Sequence, residues 1–232
     1  MKQYNEHLAK HSSGEAAKQS VLKFRDAFFK SGIKSIDRFM SENPKLAPVG
    51  KHIIAFEILR AEKDSCFTEE AKWQQEHYKR AGSSEDRSAR EYCEGRAGFI
   101  GGDWYSYIYN WFLEEAGRPG LPDFTNGEFA FITFNYDRSL EHFFYESLRN
   151  SFTEVPEDHI TQSISHLNIL HVYGQVAPLK WQDTQAGVDY KPQEIDEPLL
   201  QKAAANIRTI YEQEEKASGE LRKARKLLAL SR

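Results

Sequence analysis

The sequence predicts an α/β fold that is rich in helix and contains a small, incomplete parallel sheet. Most apolar residues recur at helical spacing, but two short runs, at 129–134 and 167–174, carry the aromatic and β-branched residues typical of strands. A helix and a loop of about thirty residues separate the two runs, which is enough for the right-handed crossover that joins parallel strands. We expect one domain over 1–232, with a strand–helix–strand core at 127–175.

The N-terminal half is predicted to be helical. A helix is expected over 15–30, a short one over 35–43 with Ser35 as its N-cap, and a longer one over 48–61. Their apolar stripes contain Ala17, Val21, Phe24 and Phe28 in the first helix and Val49, Ile53, Phe56 and Leu59 in the third. With the segments that follow, these elements form a helical sub-domain over 33–117.

The remaining helices are placed by the same spacing. One is expected near 68–80, before a loop-like insert at 81–91, and one over 101–117 with Asp103 as its N-cap. The inward stripe of the latter is predicted as Trp104, Ile108, Trp111 and Phe112. A helix over 138–150 follows the first strand, and a C-terminal helix runs over 198–230, with Gly219 as a possible break.

Composition excludes several classes of protein. The chain has 232 residues, 40% of them hydrophobic, and a net charge of −4, so a disordered chain and a strongly basic nucleic-acid binder are not expected. No run approaches the roughly 18 apolar residues that a membrane helix needs. Cys66 and Cys93 lack zinc-site spacing, and we expect no metal and a cytoplasmic location. A homo-oligomer formed through the C-terminal helix is a further expectation.

Polar residues follow both predicted strands. Asn135 and Asp137 come after the first, and His171 and Gly174 close the second. Because ligands of open α/β sheets bind at the carboxyl ends of strands, these residues are expected at one ligand-binding rim. Each also has a structural interpretation: Asn135 as a turn residue, Asp137 as a helix cap and His171 as a buried, hydrogen-bonded core histidine.

Five segments, in order, resemble a known family. TFNYDRSLE (133–141) followed by HVYG (171–174) is similar to the core of the sirtuin-like domain of bacterial NAD-consuming proteins, many of them phage-defence effectors. SIDRFM (35–40), GKHIIAFEILRAE (50–62) and DWY (103–105) resemble the helical insertion of that family. The resemblance covers roughly 33–175 and implies a Rossmann-like domain that binds NAD.

The resemblance implies a role for each rim residue. Asn135 would orient the attack at C1′ of the nicotinamide ribose, and His171 would be the general base toward the ribose hydroxyls. NAD binding would fall to Thr133, Tyr136, Asp137 and Gly174. The implied reaction hydrolyses NAD, as substrate, to nicotinamide and ADP-ribose. The alternative is an inactive or truncated module that binds a nucleotide or a partner protein.

The sequence departs from the family pattern at both ends. Its first thirty residues contain no strand followed by a Gly-Ala-Gly-x-Ser loop, and no late strand with a Gly-rich turn follows the C-terminal helix. We therefore expect a fragment, a member that has lost its phosphate-binding loops, or a chain that a partner completes.

Overall fold

The computed structural model describes residues 4, 15–64, 104–115, 120–125, 129–209, 212 and 219–230. The helix predicted at 68–80, the insert at 81–91 and the cap at Asp103 lie outside these residues. In chain order the elements are α1 Glu15–Ser31, α2 Ile36–Glu42, α3 Ala47–Lys63, α4 Trp104–Glu115, β1 Ala130–Thr133, α5 Ser139–Ser151, α6 Glu157–Ser165, β2 Asn168–His171, α7 Glu197–Asn206 and α8 Glu220–Leu230. The described chain is therefore helix-rich with a small parallel sheet, as predicted.

The chain divides into two compact units. Unit 1 comprises 1–64, 129–138 and 168–232, and unit 2 comprises 65–128 and 139–167. The predicted helical sub-domain at 33–117 is thus shared between the two, because 33–64 belongs with the sheet.

The first three helices form where the apolar spacing predicts them. Ser35 caps α2, and its side chain accepts a hydrogen bond from the Arg38 backbone N–H. In α3, Gly50 faces α2 so closely that a Cβ there would lie 2.4 Å from the sulfur of Met40. This close approach brings Phe24, Phe39, Met40, Phe56 and Leu59 into one core with Leu200 and Ala203 of α7.

The two strands pair in parallel, with Ala130 opposite Asn168 and Thr133 opposite His171. The prediction that the first strand is buried is wrong. Ala130 is exposed and the next three residues are half-buried, because in the described chain β1 has one strand neighbour. The connection between the strands is also more helical than predicted, since α6 occupies part of the expected loop.

The predicted C-terminal helix at 198–230 is not continuous. The chain leaves helical geometry at Ile207, whose φ and ψ are −77° and 128°, and α8 begins only after Gly219. Within unit 1, Ala224 of α8 packs against Leu170 of β2 and Val172 just after it, while Leu228 stays 64% exposed. Pairing of this helix with another chain remains a prediction.

Unit 2 packs α4 and α6 against α5. The predicted stripe on α4 is wrong in part, because Tyr109 and Phe112 are buried whereas Trp104 is 50% exposed. A tyrosine ring can be buried when its hydroxyl is bonded, and Tyr109 donates to the Ser151 hydroxyl at 2.7 Å. Among the described residues, no helix is long and apolar enough to cross a membrane.

Candidate functional site

The rim residues lie at the carboxyl edge of the two-stranded sheet, within unit 1. Parallel pairing puts the ends of β1 and β2 on the same side, with Thr133 directly opposite His171. Asn135 follows β1 by two residues, and Gly174 follows β2 by three. We call Thr133, Asn135, Tyr136, Asp137, His171 and Gly174 the rim.

His171 and Asn135 are in direct contact. The Nδ1 atom of His171 lies 2.7 Å from the backbone carbonyl oxygen of Asn135. Since a carbonyl oxygen only accepts, Nδ1 must carry the proton, and in the neutral ring the lone pair is then on Nε2. His171 as a whole is 8% exposed. The contact thus fixes the orientation of an imidazole that can take up a proton at Nε2.

The Asn135 side chain is not used in that contact. Asn135 is exposed, and its backbone N–H donates to the Thr133 hydroxyl at 3.1 Å. The Thr133 hydroxyl therefore stabilises the turn after β1, and main-chain atoms of Asn135 hold His171. The contact between these two rim positions thus passes through the backbone of Asn135, while the residue itself is exposed. Asp137, two residues further on, is half-buried.

Tyr136 connects the rim to the helical part of unit 1. Its hydroxyl donates to the Arg208 carbonyl at 3.0 Å and lies 3.4 Å from the Asp37 carboxylate, and its own carbonyl accepts from Val176 N–H at 3.0 Å. Burial, and after it the nearby Asp37 carboxylate, raise the pKa of Tyr136, so the phenol stays protonated. The predicted contact of Tyr136 with NAD remains a prediction, and its side chain already has these protein partners.

Gly174 occupies a position that other residues do not fit. Its φ is +82°, and a Cβ would lie 2.2 Å from the Asn206 carbonyl oxygen at the end of α7. Its N–H donates to the His171 carbonyl at 3.1 Å, which turns the chain just after the histidine. The glycine thus lets the end of α7 approach the rim.

Arg138 is the residue that sequence reasoning missed. It is fully buried, and it forms a bidentate ion pair with Glu62 of α3, from Nη2 to Oε2 at 2.5 Å and from Nε to Oε1 at 3.2 Å. The Arg138 backbone N–H also donates to Glu62, at 3.1 Å. The remaining guanidinium N–H groups donate to three carbonyls, of Val188 at 2.9 Å, Asp189 at 3.2 Å and Pro178 at 3.5 Å.

These contacts use the whole fork of the guanidinium within the protein. Arg138 therefore joins the segment after β1 to α3 and to the loop at 178–189, and it holds the chain in place directly after the rim residue Asp137. A sequence signal was present: Ala55, Leu59 and Glu62 share one helical face, and all three are buried. A glutamate in a buried stripe calls for a buried cation.

No group of three metal-ligating side chains occurs among the residues that the structure describes.

Gln175, directly after the rim residue Gly174, has a buried amide oxygen that accepts no hydrogen bond. No protein-family model, curated protein or solved structure matches this chain, and the sirtuin-like resemblance remains a prediction.

Proposed function

We propose that the chain is a sirtuin-like, Rossmann-like domain that binds NAD at the rim and hydrolyses it to nicotinamide and ADP-ribose. The observation that carries the proposal is the 2.7 Å contact between His171 Nδ1 and the Asn135 carbonyl. It joins the two residues to which the sirtuin-like resemblance gives catalytic roles, and it leaves Nε2 as the basic atom of the ring.

The chemistry of the bond fits these groups. Cleavage of the N-glycosidic bond of NAD develops positive charge on the ribose, which a carboxylate and an amide oxygen stabilise electrostatically. Asp137 supplies the first and Asn135 the second. His171 accepts the proton of a ribose hydroxyl or of the attacking water at Nε2, and an imidazole suits that task near neutral pH.

The proposal includes the cellular setting that the resemblance suggests. Hydrolysis of cytoplasmic NAD would deprive an infecting phage of a required metabolite, so a role in bacterial anti-phage defence belongs to the proposal.

A second candidate is a module that binds a nucleotide or a partner protein at the same rim without catalysis. The absence of a Gly-rich phosphate loop from the sequence of the first thirty residues favours it. The backbone N–H groups of such a loop normally hold the dinucleotide phosphates, and without them NAD is held less firmly in a reactive geometry.

The test combines calorimetry with product analysis. The chain is titrated with NAD and with ADP-ribose, and nicotinamide release is followed by chromatography. The hydrolase releases nicotinamide over time, whereas the binding module gives heat without product. If NAD gives neither heat nor product, the result contradicts both NAD hydrolysis and the alternative that the chain is a nucleotide-binding module.

Asn135→Ala is the informative variant. The substitution removes the exposed amide and keeps the backbone carbonyl that holds His171. We expect unchanged thermal stability and a rate of nicotinamide release lower by about 10²-fold, the size typical of losing one electrostatic catalytic contact. Full activity in this variant removes Asn135 from the mechanism.

A further inference from the structure

Unit 1 contains a cavity among its helices. It has a volume of about 510 Å³, within the range of small-molecule sites. Its apolar wall comes from α2, α3 and α7 and the turn between α2 and α3, and it includes Met40, Pro44, Pro48 and Ala204. None of the rim residues lines it.

The polar part of this cavity contains an ion pair. Lys51 Nζ lies 2.8 Å from both carboxylate oxygens of Glu212. The Lys51 side chain is 16% exposed and that of Glu212 is 43% exposed. The cation thus belongs to the cavity wall, whereas the carboxylate that satisfies it reaches water.

Glu212 has a second, separate attachment. Its Oε2 accepts from Thr209 N–H at 2.7 Å, and its own N–H donates to the Thr209 hydroxyl at 3.4 Å. These reciprocal bonds hold Glu212 locally without Lys51. Hydrogen bonds from Lys51 and Thr209 lower the pKa of Glu212 despite its partial burial, so it is ionised at neutral pH.

We propose that this cavity binds a small organic monocarboxylate with an apolar body, whose carboxylate replaces that of Glu212 on Lys51. The Glu212 side chain then acts as an internal competitor. The apolar wall accommodates the body of the ligand, and the partly buried ammonium recognises its charge. A nearby competitor weakens ligand binding through its high effective concentration.

The test uses octanoate as the carboxylate and octanamide as its uncharged analogue, with binding measured by calorimetry. Wild type is expected to bind octanoate, and octanamide is expected to bind at least about tenfold more weakly. Glu212→Gln keeps the reciprocal bonds with Thr209, since glutamine serves equally there. Because it removes the competing charge, we expect octanoate to bind about tenfold more tightly to it.

Three further variants serve as controls. Glu220→Gln removes a carboxylate whose ion pair with Lys223 is on the surface, and octanoate affinity should not change. Lys51→Met should lose octanoate binding by tenfold or more at unchanged cavity shape. Ala205→Leu adds bulk to the cavity wall and keeps both charges, so it should also lower the affinity.

Two results would overturn the proposal. One is that neither wild type nor Glu212→Gln binds octanoate while both remain folded by circular dichroism. The other is that octanamide binds as tightly as octanoate, with Glu212→Gln making no difference, which would make the cavity a site for neutral molecules. Because octanoate binding requires no rim residue, these results are independent of NAD hydrolysis.

Discussion

Two of the ion pairs that involve helix α3, with Arg138 and with Glu212, differ in how completely the protein satisfies them. Near the end of α3, Glu62 is 3% exposed and binds a fully buried Arg138, whose guanidinium N–H groups all have acceptors inside the protein. Near its start, Lys51 binds Glu212, whose side chain is 43% exposed. The first pair leaves no donor for a ligand, whereas the second joins a cavity wall to solvent.

The difference distinguishes an ion pair that stabilises the fold from one that a ligand can enter. Burying two charges is favourable only when the surrounding groups replace the water they lose, and the carbonyls around Arg138 do so. A pair that keeps contact with water has little net strength, and a ligand of matching charge can exchange into it. The first pair therefore holds the rim in place, and the second is open to competition.

Breaking the buried pair between Arg138 and Glu62 should have the largest effect on stability. Arg138→Met leaves Glu62 as an uncompensated buried charge, and we expect a loss of about 3–5 kcal/mol in the free energy of unfolding. Urea denaturation measures it. Arg149→Met, which breaks a surface pair with Glu146, is the matched control and should cost about 0.5 kcal/mol or less. A loss below about 1 kcal/mol for Arg138→Met would contradict the structural role.

The glycine at the rim should come next. Gly174→Ala combines a φ of +82° with a Cβ 2.2 Å from the Asn206 carbonyl, and strain of this kind costs about 1–3 kcal/mol. Gly32 has a φ of +69° with open space around its Cβ, so Gly32→Ala isolates the backbone part. Thermal unfolding of both variants should show the larger loss at 174. Equal losses would mean that the Asn206 carbonyl of α7 adds no steric cost at position 174.

Tyr136→Phe should have a smaller effect. It removes the hydroxyl that donates to Arg208 and leaves the ring in place, at a cost of about 1 kcal/mol for the lost hydrogen bond. Urea denaturation is again the measurement. A stability equal to wild type would show that the carbonyl of Arg208 finds another donor.

The partly exposed pair between Lys51 and Glu212 should matter least for stability. Glu212→Gln is expected to change the free energy of unfolding by less than about 1 kcal/mol at neutral pH. The pKa of Glu212 is lowered from 4.5 in the folded chain, so its stabilising contribution is present above the unfolded value and is lost as pH falls through the folded one. Below pH 4.5 the wild type should lose stability more steeply than the variant.

The predictable parts of the fold are those where one periodicity dominates. The spacing in α1 to α3 and the Ser35 cap are local signals, and the structure follows them. The predicted stripe on α4 is wrong in part, because it includes the exposed Trp104 and leaves out Tyr109, which is buried. Burial of Tyr109 depends on hydroxyl partners in α5, which no pattern within α4 reveals.

For the site, the order of strands and helices in the sequence predicted that Asn135 and His171 lie at one edge of the sheet. It did not predict how the two residues contact each other. That contact passes through a backbone carbonyl, which any residue at 135 would supply. The pairing of Arg138 with Glu62 joins positions 76 residues apart, so neither residue shows its partner locally. The cavity likewise needs α7 to pack on α3 before it exists.

The most direct test of the central claim is the rate of nicotinamide release from NAD by wild type and by His171→Ala. His159→Ala, an exposed histidine on α6, is the control. We expect wild type and His159→Ala to be equally active, and His171→Ala to be slower by about 10²–10⁴-fold, the range for a lost general base. Equal rates in wild type and His171→Ala, with the variant folded, would contradict the assignment of the rim as the active site.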